Sequence, residues 1–227
     1  MSTTKSATIR RRVRVLIVDD HELVRRGLAA LLDDDPGLKV CGQADGIAAA
    51  MKMIKTAKPD LIIVDISLKD GNGLELIKQV HDYDDAILML VSSMHDESLY
   101  AERVLRAGAS GYVHKEQAAE QVLDAIYTVL DGGIVLSPRL KEDVLLRVAG
   151  ERQEKDQSEM EKLSDRELQV FELIGRGRTT REIAEQLKLS AKTIETYRDN
   201  IRAKLHLETG AALTCRAVRW IVEQRLG

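Results

Sequence analysis

Five short aliphatic runs punctuate the first 130 residues: Val13–Val18, Leu38–Cys41, Leu61–Val64, Ile87–Val91 and Gly111–Val113. Between them lie longer stretches with apolar residues at helical spacing, such as Leu23, Leu28, Leu31 and Leu32, or Ala101, Val104 and Leu105. Extended runs that alternate with amphipathic helices predict βα units and a parallel sheet. Five such units in this length predict a doubly wound α/β domain over residues 13–132. Ligands in that architecture gather at the carboxyl ends of the strands, which directs attention to the residues closing each run.

The first run ends in Asp19-Asp20-His21 and the third in Asp65. If both strands are central, three carboxylates converge on one edge, where their repulsion favours a divalent cation. Oxygen ligands with room for waters suit Mg²⁺. The competing expectation is that Asp19 and Asp20 cap the helix that begins near His21; it leaves Asp65 unexplained. The fourth run ends in Val91-Ser92-Ser93-Met94 and the fifth in Tyr112-Val113-His114-Lys115. A hydroxyl and an ammonium at the same edge supply donors for an anion.

The chain of 227 residues is 44% apolar and 31% charged, values of a globular protein. Its net charge of −3 is unevenly spread, since residues 161–227 carry 13 basic and 10 acidic side chains. A basic C-terminal unit behind an acidic one fits a nucleic-acid contact. Two distant cysteines, Cys41 and Cys215, give no disulfide framework or zinc motif. The N-terminus lacks the apolar core of a signal peptide, and no apolar run approaches the ~20 residues of a membrane span. A cytoplasmic protein without a membrane partner is expected.

From Ser137-Pro138, which reads as a helix start, the character changes, and Gly150 to Lys162 is dense in charge. Residues 133–160 read as a helical or flexible linker. Helix signals then return without strands. Ser164-Asp165-Arg166-Glu167 has the form of a capping box. A short helix with Ile183, Ala184 and Leu187 inward precedes a turn at Lys188-Leu189-Ser190. A longer helix then carries Ile194, Tyr197, Ile201 and Leu205 on one face. Two helices joined by a tight turn predict a helix-turn-helix within a small all-α domain, residues 161–227, although any amphipathic trio could form a plain bundle.

The ordered set Asp19-Asp20, Asp65, Ser93 and Lys115 resembles the receiver domain of two-component response regulators, a flavodoxin-like fold with a five-stranded parallel sheet. The Leu163-Ser164-Asp165-Arg166-Glu167 start, Glu182-Ile183-Ala184 and Lys192-Thr193-Ile194-Glu195-Thr196-Tyr197-Arg198 resemble the DNA-binding domain of the NarL/FixJ/LuxR class. The resemblance implies that Asp65 takes a phosphoryl group from a sensor histidine kinase. It implies that Asp20, Asp65 and the backbone carbonyl of Ser67 bind Mg²⁺, with Asp19 in support. Lys115 would pair with a phosphoryl oxygen, Ser93 would donate to another, and Tyr112 would move as the switch aromatic. The second helix of the motif would enter the major groove of double-stranded DNA. Glu195 and Thr196 would reach base edges, and Thr179, Lys192, Thr193, Arg198, Arg202 and Lys204 would meet phosphates. The last helix, from Thr209 and including Val218 and Trp220, would pair two phosphorylated copies as a homodimer, though its apolar residues could equally be core. The chain departs from many relatives at Leu68-Lys69, where they carry Met-Pro, and from some at His206, where they carry Gly. An aspartyl-phosphate enzyme would commonly carry a second acid two residues beyond the nucleophile. Here that position is Ser67, so a regulator and not an enzyme is expected.

Overall fold

The aliphatic runs do form one sheet. The structure is a computed structural model that describes residues 11–95, 97–138, 140–142 and 159–226. Strands β1 (Val13–Val18), β2 (Leu38–Ala44), β3 (Leu61–Val64), β6 (Leu88–Ser93) and β7 (Gly111–His114) align in the order β2-β1-β3-β6-β7, every pair parallel. A two-residue hairpin, β4 (Ser67–Leu68) with β5 (Gly71–Asn72), stands beyond the end of β3. Helices α1 (Glu22–Asp33), α2 (Ile47–Ala57), α3 (Gly73–Tyr83), α4 (Glu97–Arg106) and α5 (Ala119–Leu130) make the connections.

Strand periodicity sorts the core into two layers. Val15, Ile17, Leu61, Ile63, Leu90 and Val113 point to one face, with Leu32 of α1 and Val122, Ile126 and Val129 of α5. Leu16, Val18, Ile62, Val64, Met89 and Val91 point to the other, with Ala50 and Ile54 of α2, Ile77 of α3 and Val104 of α4. Chain order reverses between β1 and β3, so the crevice at their carboxyl ends is the expected ligand position.

Two strands are longer than their apolar runs suggest. β2 continues to Ala44 because the register slips between Val15 and Leu16, which leaves Cys41 as the extra residue of a bulge. β6 runs to Ser93 because Ser92 and Ser93 still pair with Val113 and His114. Beyond β7, Val135 bridges to Gly111 and covers the sheet edge. Of the charged linker, residues 143–158 lie outside the described residues. At its far end Glu159–Lys162 is a 3₁₀ turn in which Met160 is buried while Glu159 and Lys162 are exposed.

The C-terminal unit is all-helical: α6 (Asp165–Gly175), α7 (Thr180–Leu187), α8 (Ala191–Lys204) and α9 (Gly210–Leu226). Ser164 and Glu167 cap α6 reciprocally, as the sequence predicts, and Thr179 and Glu182 do the same for α7. Lys188, in the left-handed conformation at φ 53°, ends α7 and leads to Ser190, which caps α8. His206 is left-handed too, at φ 54°, a conformation that favours glycine. Ile183, Ile194, Ile201, Leu213 and Ala217 close the core, with Phe171 edge-on to Trp220 at 5.6 Å.

Candidate functional site

The carboxyl edge of the sheet collects the predicted set. Asp19 and Asp20 leave β1, Asp65 leaves β3, Ser93 ends β6 and Lys115 follows β7. Ligand atoms of Asp19, Asp20, His21 and Asp65 all lie within 4.8 Å of one another. Lys115 Nζ bridges two of these acids, 2.5 Å from Asp19 Oδ2 and 2.7 Å from Asp65 Oδ2. Asp19 and Asp65 are buried at 2% and 3% exposure, which makes that bridge the internal counter-charge of the cluster. Burial alone would push the Lys115 ammonium down; Asp65 and Asp19 outweigh it and hold its pKa above the usual lysine value. Asp20 is raised, first by burial and then by the charges of Asp65 and Asp19 against the opposing charge of His21.

Capping does not absorb these acids. α1 begins at Glu22 with His21 as its uncapped entry, and Asp19 Oδ1 accepts from the His21 amide at 2.8 Å. His21 Nδ1 stands 2.7 Å from Asp20 Oδ1 without hydrogen-bond geometry. Asp20 Oδ1 and Asp65 Oδ1 are buried and accept no hydrogen bond. Two unsatisfied carboxylate oxygens in one cluster of acids suit a hard divalent cation with oxygen ligands.

The loop after Asp65 is held by contacts that the sequence does not signal. Lys69 pairs with Asp45, and both Asp70 carboxylate oxygens accept from the first amides of α2, Ile47 at 2.7 Å and Ala48 at 3.1 Å. Gly73, also missed, packs so closely that a Cβ there would lie 2.1 Å from the Asp65 carbonyl oxygen. The signal was present in Asp70-Gly71-Asn72-Gly73, but a turn needs glycine for more than one reason.

Ser93 and Tyr112 meet at His95 instead of at Asp65. The Ser93 hydroxyl oxygen accepts from the His95 amide at 3.4 Å, and the Tyr112 hydroxyl donates to the His95 carbonyl at 2.5 Å. The His95 ring spans Ser67 Oγ (2.8 Å) and Glu172 Oε2 (2.6 Å), the latter on α6 of the C-terminal unit. Asp165 of α6 receives Lys78 and Arg103 at 2.9 Å each, and Arg166 reaches Glu75 at 3.2 Å. A cavity of about 300 Å³ lies between the units, walled by Asp65, Ser93 and Lys115 on one side and Gln169, Arg176 and Gln186 on the other.

The predicted DNA-contact residues cluster on α7 and α8. Lys192, Glu195, Thr196 and Lys204 are exposed, as is Thr179, while Thr193, Arg198 and Arg202 are half-buried. Several are already engaged: Thr179 caps α7, Glu195 accepts from Thr180, and Lys204 pairs with Glu167 at 2.5 Å. Asp199 pairs with Arg202 at 2.6 Å, which offsets the charge of a carboxylate that stays exposed on the helix.

A five-stranded parallel sheet with acids at its switch point, followed on the same chain by a helix-turn-helix, defines a signalling domain joined to a DNA-binding one. Comparison with known proteins agrees unit by unit. The model of the response regulator receiver domain matches residues 15–127, and that of the bacterial regulatory proteins of the luxR family matches residues 161–217. The response regulator UvrY of Escherichia coli K12 is 34% identical over 207 residues, 91% of this chain and 94% of its own. The transcriptional activator DevR/DosR of Mycobacterium tuberculosis is 36% identical over 198 residues, 86% and 89%. A structure of the response regulator RcsB in complex with DNA superposes with a TM-score of 0.62 at 25% identity, covering 90% of this chain and 97% of that one. The chain belongs to the two-component response regulators with a LuxR-type helix-turn-helix, and regulates transcription. Among the described residues, no helix is long and apolar enough to cross a membrane.

Proposed function

We propose that this response regulator is switched by phosphorylation of Asp65 by a sensor histidine kinase, with Mg²⁺ as cofactor, and that the phosphorylated form binds operator DNA as a homodimer. Residues 13–132 act as receiver, 133–160 as linker and 161–227 as DNA-binding domain. The observation that carries this reading is the pairing of Lys115 with both Asp19 and Asp65 while Asp65 Oδ1 stays buried and unpaired.

Asp20, Asp65 and the backbone carbonyl of Ser67 would hold the ion, with Asp19 in support. When bound, it neutralises charge on the transferring phosphoryl group. The Asp65 carboxylate forms the new P–O bond as the donor's P–N bond breaks. Lys115 turns from the carboxylate pair to a phosphoryl oxygen, and the Ser93 hydroxyl donates to another. Tyr112 then leaves the His95 carbonyl and moves toward the space Ser93 vacates. On DNA, Glu195 and Thr196 read base edges, while Thr179, Lys192, Thr193, Arg198, Arg202 and Lys204 contact phosphates. Lys204 and Arg202 share their charge with Glu167 and Asp199, so Lys192 is the freer phosphate contact.

The test is labelling by radioactive acetyl phosphate with Mg²⁺, followed by selection of bound genomic fragments. Wild type should take label and select a defined set of fragments more tightly when labelled; Asp65→Ala should do neither. Equal labelling of Asp65→Ala would refute the nucleophile.

A further inference from the structure

One member of the cluster at the carboxyl edge offers nitrogen instead of oxygen. His21 precedes the first residue of α1 in an extended conformation, φ −88° and ψ 109°, and its side chain makes no cap hydrogen bond. The turn is held by Asp19 instead, which accepts the His21 amide at 2.8 Å. The imidazole leans over the acids, with Nδ1 2.7 Å from Asp20 Oδ1 and 3.3 Å from Asp19 Oδ1. Its side chain is 65% exposed, so burial does not hold it there.

The four residues are not equivalent as ligands. Both Asp19 oxygens are engaged, Oδ1 by the His21 amide and Oδ2 by Lys115. Lys115 also pairs with Asp65 Oδ2, which leaves Asp65 Oδ1 without a partner in a residue only 3% exposed. Asp20 Oδ1 is a second buried oxygen in the same condition. The open donors are therefore two carboxylate oxygens and one imidazole nitrogen. Mg²⁺ prefers oxygen and keeps its waters, whereas imidazole favours ions of the zinc type. Three protein ligands and an open fourth position meet the coordination number of Zn²⁺. Ligands held at about 2.0–2.2 Å from Zn²⁺ lie about 3.4 Å from one another. Here the ligand atoms all lie within 4.8 Å. Closure on the ion therefore takes a movement that the exposed His21 ring can supply.

We propose that His21 makes the acid cluster a Zn²⁺ site, the ion held by Asp20 Oδ1, Asp65 Oδ1 and His21 Nδ1. Binding needs only these three side chains; its consequence rests on the reading of Asp65 as phosphoacceptor with Mg²⁺ as cofactor. The two ions share Asp20 and Asp65, so they exclude one another. Zn²⁺ gains from the imidazole a ligand that Mg²⁺ has little use for. Once bound, it ties up the Asp65 carboxylate and takes the place of Mg²⁺. Zinc thereby holds the receiver unphosphorylated.

The test uses the full-length chain with zinc and magnesium chlorides in a buffer that binds neither ion. Wild type and His21→Ala are titrated calorimetrically with Zn²⁺, alone and against rising Mg²⁺. Wild type should bind a Zn²⁺ that Mg²⁺ displaces. Outer partners of a metal ligand alone are worth about 10–100-fold in affinity, so His21→Ala should lower the Zn²⁺-to-Mg²⁺ affinity ratio about a hundredfold. The chain has five histidines. The imidazole resonance that moves on addition of Zn²⁺ should be the one missing from His21→Ala. Acetyl phosphate labelling with Mg²⁺ should fall as Zn²⁺ is added, and His21→Ala should need far more Zn²⁺ for the same fall. His21→Asn repeats the comparison should His21→Ala not fold. If His21 is only a countercharge to Asp20, its removal strengthens both ions alike; an unchanged ratio overturns the proposal. Zn²⁺ that Mg²⁺ cannot displace also overturns it, because the ion then sits on other side chains. Displaceable Zn²⁺ that leaves labelling untouched overturns the inhibition alone. Wild type that binds Zn²⁺ with the expected ratio but takes no label with Mg²⁺ upholds the site and overturns the Asp65 reading.

Discussion

Gly73→Ala tests whether Asp65, the proposed phosphoacceptor, is held by backbone packing as well as by charge. The first residue of α3 lies against the peptide of Asp65, and an added Cβ would meet its carbonyl oxygen at 2.1 Å, its carbonyl carbon at 2.9 Å and the Ile66 Cα at 2.9 Å. All three neighbours are main chain, so no side chain can swing aside. An ordinary contact requires the oxygen and the new methyl to part by about 1 Å more. The Gly73 amide also donates to the Ile66 carbonyl at 2.7 Å, so α3 cannot retreat without losing that bond. Overpacking of this kind costs about 1–3 kcal/mol, several degrees in melting temperature. Displacement of a reacting group by about 1 Å can cost about a hundredfold in rate. Acetyl phosphate labelling of Gly73→Ala should therefore fall far more than its modest loss of thermal stability implies. Wild-type labelling with wild-type Mg²⁺ dependence would show that Asp65 is not positioned by this contact.

Lys115→Met should make folding more dependent on Mg²⁺, because Asp19 and Asp65 lose their shared internal cation; a larger rise in melting temperature with added Mg²⁺ than in wild type is the expected result. Asp70→Ala should cost about 1 kcal/mol through the lost cap on α2 and raise the Mg²⁺ needed for half-maximal labelling; an unchanged Mg²⁺ titration would show that the loop is rigid without it. Domain packing should also weaken in acid. Burial pushes Glu172 and Asp165 up, but the bonds and charges of His95 and Arg176, and of Lys78 and Arg103, hold both below their ordinary values of 4.5 and 3.8. Groups depressed in the packed form stabilise it fully above those ordinary values and lose that contribution as pH falls through the lowered ones. Scattering should show the chain expanding in that window, and a compact chain with both carboxylates protonated would contradict the assignment.

The sheet and its edge were legible because their signals are local. Aliphatic runs mark strands, and the residue that ends a central parallel strand has a fixed place in space. Asp19, Asp20, Asp65, Lys115 and a serine at the end of the fourth run could therefore be brought together on chain order and strand ends; the choice of Ser93 over Ser92 rests on the family resemblance. The bulge at Cys41 and the continuation of β6 through Ser92 and Ser93 were not legible, since pairing with a neighbour extends a strand past its apolar residues. Lys69 and Asp70 look like surface charges in sequence. Their contacts with Asp45 and the start of α2 span about two dozen residues and depend on the fold already being in place.

Helix α6 shows most clearly where sequence reasoning stops. It interleaves apolar Leu168, Val170, Phe171, Leu173 and Ile174 with polar Glu167, Gln169 and Glu172. In the structure every residue from Glu167 to Gly175 is buried. A helix with polar residues on its outer face stays amphipathic in isolation; only a second surface of matching charge can bury the remainder. The receiver provides one for Glu172, through His95 and Tyr100, and its Lys78 and Arg103 pair with Asp165 at the start of the same helix. Glu167 is paired inside the C-terminal unit, by Ser164 and Lys204. Buried polar groups are costly unless paired, so Glu172 makes packing conditional on its partners in the receiver. An interface that rests on paired polar groups weakens when one pair is broken, whereas an apolar interface of the same area would not depend on any single pair.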